Sequence, residues 1–117
     1  MAWYVAHSIL VVRFKEGIQR SFTAWENVLL VQAASDAEAV SKAEYRARSY
    51  EGDGGGTFSW EGRPARYEYL GLRKIVRCPD DELHDGSELT FSYFVVPDQH
   101  ALDVLVAGDA VDARYEE

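Results

Sequence analysis

The feature that most constrains this chain is its opening run, AWYVAHSILVVRF, residues 2–14. It is rich in β-branched and aromatic residues, which favour an extended backbone. On a strand, Trp3, Val5, His7, Ile9 and Val11 share one face, and Tyr4, Ala6, Ser8, Leu10, Val12 and Phe14 share the other. Neither face is polar. Such a strand needs a cover on both sides, so a central position in a sheet, or burial in an oligomer, is expected.

The turn expected at residues 15–22 pivots on Gly17, and a second strand follows over residues 23–34, centred on Val28-Leu29-Leu30-Val31. So short a connection favours antiparallel neighbours. Ser35-Asp36-Ala37-Glu38 then has the spacing of a capping box, with Ser at the N-cap and Glu at the third helical position. Ala37, Val40, Ala43, Ala47 and Tyr50 recur at three- and four-residue spacing and are expected to form the buried stripe. Glu38 and Lys42 form an i, i+4 pair in the favourable order, and Gly52 is expected to end the helix.

Residues 51–62, EGDGGGTFSWEG, read as a glycine-rich loop or hairpin around Phe58 and Trp60. A long strand is expected over residues 65–77, with its alternation changing phase at a β-bulge near Gly71. Tyr67 and Tyr69 lie on one parity before it, and Leu70, Leu72 and Val76 on the other after it. Cys78-Pro79 stops that strand. Residues 80–86 form an acidic turn, and residues 88–96 a last strand ended by Pro97. In the tail, residues 98–117, the positions of Ala101, Leu102, Leu105 and Val106 allow a short helix before a frayed end. The expectation is one α+β domain over residues 1–117: a mostly antiparallel sheet of about five strands with one amphipathic helix packed on it, in the order ββαβββ plus the tail. The 117 residues suit one domain, and 47% hydrophobic residues suit a globular one.

With these elements placed, the chain resembles the small bacterial proteins grouped as domain of unknown function 4288. Three stretches carry the resemblance: the Trp3-Tyr4 pair opening the first strand, residues 26–44 where a strand runs into the capped Ala-rich helix, and Asp85-Gly86 before the aromatic strand Leu89 to Val96. The resemblance covers residues 2–96. The glycine-rich stretch 52–56 and the acidic tail depart from it. It implies a fold and brings no activity with it.

The chemistry-bearing residues form no motif. A zinc site needs recurrent Cys and His spacing, and the segment 78–85 holds one of each, Cys78 and His84. A calcium loop there would need an oxygen donor at Leu83 and a Glu at Ser92. Gly52, Gly54, Gly55 and Gly56 follow a helix, whereas a phosphate loop precedes one. No metal, cofactor or catalytic residue is therefore expected. His7 reads as a packed or hydrogen-bonded residue within its strand.

Two surface features remain. Trp60, Tyr67 and Tyr69 fall on two strands expected to be adjacent, interleaved with Arg63, Arg66 and Arg73, a composition common at binding surfaces. The net charge is −8, and its acids gather late: residues 80–117 hold eleven acids and one base, Arg114. Asp80, Asp81, Glu82 and Asp85 stand at the head of that region. Such a field repels nucleic acid and anionic membrane and attracts basic partners.

The single cysteine permits no internal disulfide, no basic-then-apolar leader opens the chain, and no run is long enough for a membrane span. A soluble cytoplasmic protein is expected. Three functional readings follow. The first is a non-enzymatic interaction domain that forms a homodimer. The second is an inhibitor or immunity-type protein that neutralises a basic partner through its acidic final third. The third is a small enzyme whose site assembles across strands, a reading that an enclosed pocket holding His84 or His100 beside Cys78 or a carboxylate would support.

Overall fold

The computed structural model describes residues 1–116. Its centre is a four-stranded antiparallel sheet in the order β2-β1-β4-β3, made of β1 (Ala2–Phe14), β2 (Ala24–Ala33), β3 (Ser59–Trp60) and β4 (Arg63–Arg77). Helix α1 (Asp36–Arg48) packs on one face. A separate two-stranded ladder, β5 (Phe94–Val95) with β6 (Arg114–Tyr115), and helix α2 (Gln99–Ala107) complete the chain. No described helix is long and apolar enough to cross a membrane.

The fold is α+β, but its ladder is shorter than five strands. Residues 88–93 join no sheet. This segment crosses the far face of the sheet instead, where Thr90 meets His7. Side chains fasten it there: Lys74 Nζ donates to the Phe91 carbonyl, and the Cys78 thiol to the Leu89 carbonyl at 3.5 Å. The tail holds the short helix that its spacing allows, whereas Arg114–Tyr115 pairs with Phe94–Val95 where fraying was expected. The Phe94 and Tyr115 rings meet edge-on at 5.4 Å, and the Arg73 guanidinium lies 4.4 Å from the Tyr115 ring centre. Glu117, also within the expected frayed end, lies outside the described residues.

Strand β1 is central, as its two apolar faces require. It pairs with β2 from Ala2↔Ala33 to Val11↔Ala24, and with β4 from Tyr4↔Arg77 to Phe14↔Ala65. On the helix side Ala2, Tyr4 and Ala6 join Val31, Ala33, Ala39 and Ala43 in one buried cluster, flanked by Leu29, Leu72 and Ile75. The cluster is built largely of Ala, so helix and sheet approach closely.

The buried stripe of α1 is Ala39, Ala43 and Ala47, with Val40 half-buried beside it. Ala37 and Tyr50 are exposed, which corrects the expected stripe. At 3.6 residues per turn Ala37 sits about 120° from the axis of the stripe. Tyr50 lies past the helix, which ends at Arg48 with Ser49 as its C-cap. Gly52 is not the cap. It bridges to Tyr67 on β4, with φ at 129°. Ser35 Oγ accepts from the Glu38 N–H at 3.2 Å, while the Glu38 carboxylate pairs with Lys42 at 3.4 Å. The Tyr4 hydroxyl donates to Asp36 Oδ1 at 2.8 Å and ties the helix start to β1.

The phase change near Gly71 is a double one. The register against β1 skips Leu70 and then Arg73, so two irregularities bracket Gly71, whose φ is 151°. The first moves Leu72 to the helix side opposite Ser8. The second restores the original parity, leaving Ile75 on the helix side and Val76 on the far side. Leu70, outside the pairing, is exposed.

Candidate interaction surface

The aromatic residues gather at the end of the sheet that α1 leaves uncovered. Glu61 and Gly62, with φ of 51° and 74°, form the tight turn that folds β3 back on β4 and sets Trp60 opposite Arg63. Trp25 on β2 completes the group. Its ring meets Trp60 at 5.3 Å and Tyr67 at 5.8 Å, both edge-on, and Phe58 stacks on Tyr67 at 4.5 Å. Beside them Leu10, Trp25, Asn27, Tyr50 and Tyr67 line a depression of about 230 Å³. The Trp60 indole N–H is buried without a protein partner.

The expected grouping of Trp60, Tyr67, Tyr69 and Arg66 is only partly assembled. Trp60 and Tyr67 are half-buried, each against the Trp25 ring. Tyr69 belongs to the core at 8% exposure, beneath the Arg48 guanidinium 5.0 Å from its ring centre. Burial, chiefly, raises its phenol pKa. Arg66 is exposed but projects from the far face, because it pairs with Arg13 where Tyr67 pairs with Val12. It binds Glu68 at 3.5 Å. Arg63 lies over the Phe14 ring at 3.7 Å and donates to the Glu16 and Ile18 carbonyls. Arg73 pairs with Glu26 across the far face.

The acidic residues lie at the other end of the sheet. Asp80, Asp81, Glu82 and Asp85 are all exposed in the turn after β4. Asp81 borders a depression with Ala2, Tyr4, Ala34 and Arg77. Since the aromatic group flanks Leu10 to Phe14 and the acidic turn leaves beside Trp3, the two surfaces stand about 30 Å apart along β1. The His84 ring is bound within the turn, 2.9 Å from the Asp85 carbonyl and 3.0 Å from Asp80 Oδ2. Those contacts, the carbonyl first, raise its pKa. Cys78 is buried, and burial raises its thiol pKa. Among the described residues no three His, Cys, Asp or Glu side chains converge as metal ligands.

His7, expected to be packed or hydrogen-bonded, is buried on the far face, 3.1 Å from Glu26 Oε1 and 2.6 Å from Thr90 Oγ1. Leu89, Phe91, Tyr93 and Val95 form an alternating row of exposed apolar side chains on the segment that crosses that face. Val28 and Leu30, also exposed, stand on the same side of β2, since Val28 pairs with His7 and Leu30 with Val5. The alternation of 89–95 is visible in the sequence, but which parity meets solvent is not.

No curated protein and no solved structure matches the chain. The sequence profile of the family described as domain of unknown function (DUF4288) matches residues 3–91, from the first strand through the segment that reaches Phe91. The match includes the glycine-rich stretch and stops short of α2 and β6. The chain belongs to the DUF4288 family.

Proposed function

We propose that this protein is a non-enzymatic, cytoplasmic interaction domain that assembles with copies of itself. The observation that carries the reading is the unfinished far side of the sheet. Val28 and Leu30 on β2, and Leu89, Phe91, Tyr93 and Val95 on the crossing segment, are each 43–53% exposed. Apolar side chains gathered on one side mark a surface that another chain covers. The shape supports this: the radius of gyration is 17.3 Å, against about 13 Å for a compact domain of this length. Sedimentation from low to high micromolar concentration tests it. A concentration-dependent dimer is expected, weakened in Phe91→Ser; a monomer throughout would overturn the reading.

A second reading rests on a different observation, the exposure of Asp80, Asp81, Glu82 and Asp85 in one turn. It makes that turn a docking point for a basic protein, with binding that weakens as salt rises. Neutralising the four acids should abolish such binding. Retention would remove this reading.

A further inference from the structure

The two outer edges of the sheet end differently. Along β4, Gly52 exchanges two backbone bonds with Tyr67, Glu51 Oε2 accepts the Tyr69 N–H at 3.0 Å, and β3 pairs beyond. The two irregularities around Gly71 twist the rest of that edge, a common protection against pairing. Among the described residues the outer edge of β2 has no paired strand; only toward its end do Lys42, Tyr45 and Arg46 of α1 border Leu30 and Gln32. Val12 N–H donates to the Thr23 carbonyl, and antiparallel bonding alternates. The odd residues of β2 therefore bond to β1, and the N–H and C=O groups of Ala24, Glu26, Val28, Leu30 and Gln32 point outward. Along this edge, among the described residues, only the Gln32 carbonyl is bonded, to Lys42 Nζ at 2.6 Å.

Open edges normally carry Lys, Pro or a bulge. The ten residues of β2 hold neither Lys nor Pro, and their pairing with β1 is unbroken. Their single charge, Glu26, is already bound to Arg73 and His7. We propose that this edge pairs with β2 of a second copy, antiparallel, about a twofold axis at Leu29. In that register Val28 faces the partner's Leu30, and Glu26 faces the partner's Gln32. Apolar meets apolar, and the one carboxylate meets an amide. Moving the axis to Val28 sets Glu26 against Leu30, and moving it to Asn27 sets Glu26 against Val28. The Lys42 contact leaves the second lone pair of the Gln32 carbonyl free. The two four-stranded sheets become one continuous sheet, and both β2 edges disappear.

This pairing rests on the self-assembly reading above, and two variants separate the two. Val28→Pro removes an outward N–H that bonds nothing within the chain, a position where an edge strand tolerates proline. Its circular dichroism should match the wild type, while sedimentation should show association weakened about tenfold or more. Leu29→Cys places two thiols across the axis, where the Cα atoms of a non-hydrogen-bonded pair lie about 4.5 Å apart, within disulfide range. Mild oxidation should give a covalent dimer, which the wild type, with Cys78 buried, should not form. If the wild type is a monomer, the reading and the pairing fall together. If it dimerises, Val28→Pro dimerises equally and Leu29→Cys does not cross-link, the pairing alone falls. Should Val28→Pro fail to fold, cross-linking of Leu29→Cys decides.

Discussion

The Nε2 of His7, in the middle of the first strand, lies 2.6 Å from the hydroxyl oxygen of Thr90. The other ring nitrogen, Nδ1, lies 3.1 Å from Glu26 Oε1, and Arg73 binds the same carboxylate. One buried side chain thus joins the central strand, the edge strand and the crossing segment.

Thr90→Val keeps the shape and removes the hydroxyl. It leaves the buried Nε2 unpaired, at a cost of about 1–2 kcal/mol. Urea unfolding should register that loss and a near-wild-type value for Thr90→Ser. Equal stability for the Val variant would mean the contact contributes nothing.

The Ala stripe predicts a contrast between two positions on one helix. Ala43 is fully buried against the sheet, and Ala37 is exposed. Ala43→Leu should destabilise by about 1–3 kcal/mol through overpacking. Ala37→Leu should stay within about 0.5 kcal/mol of wild type. Thermal melts of the pair measure the difference.

Gly71 has a φ of 151°, a conformation that side-chain-bearing residues rarely adopt. No atom crowds the space its Cβ would enter, so the cost of Gly71→Ala is backbone strain alone. A loss of about 1–3 kcal/mol is expected in denaturant titration. An unchanged midpoint would show that the backbone there relaxes freely.

Two titrating groups predict opposite pH trends. The Arg73 hydrogen bond, opposed by partial burial and aided by His7, holds the Glu26 carboxyl below its usual range. A depressed pKa in the folded state gives stability that is present above the unfolded value of about 4.3 and lost as pH falls through the folded one. Glu26→Gln should flatten that acid limb. His84 is raised from 6.5, first by the Asp85 carbonyl and then by Asp80. Its contribution is complete below 6.5 and disappears as pH rises through the folded value. Its NMR titration should centre above 6.5 and move down, without returning fully, in Asp80→Asn.

The elements nearest a strong local signal were the most legible. The apolar run gave β1 its bounds of 2–14, and the Ser35–Glu38 spacing placed the start of α1. Periodicity located the helix but missed the centre of its stripe, because spacing of three and four admits rows on either side of Ala43. The segment 88–96 is extended as its composition suggests, yet composition says nothing about whether an extended segment joins a ladder or lies across a face. That depends on partners far away in the chain, such as His7 for Thr90 and Lys74 for Phe91. The candidate surface was hidden for the same reason. Trp25 on β2 and Trp60 on β3 meet across the two strands β1 and β4 that lie between theirs, and Tyr69 is covered by Arg48 from a helix twenty-one residues earlier. No local pattern reveals that β2 is left at an edge.

The way the crossing segment is fastened has a dynamic consequence. From Leu89 to Ser92 its attachments are side chains, those of His7, Lys74 and Cys78, and no ladder runs through it. It can therefore lift away one contact at a time, while β1 cannot separate from its neighbours without breaking two ladders at once. Amide exchange should divide the molecule into a fast-opening strap and a slow inner sheet, with the imidazole of His7 at the seam between them.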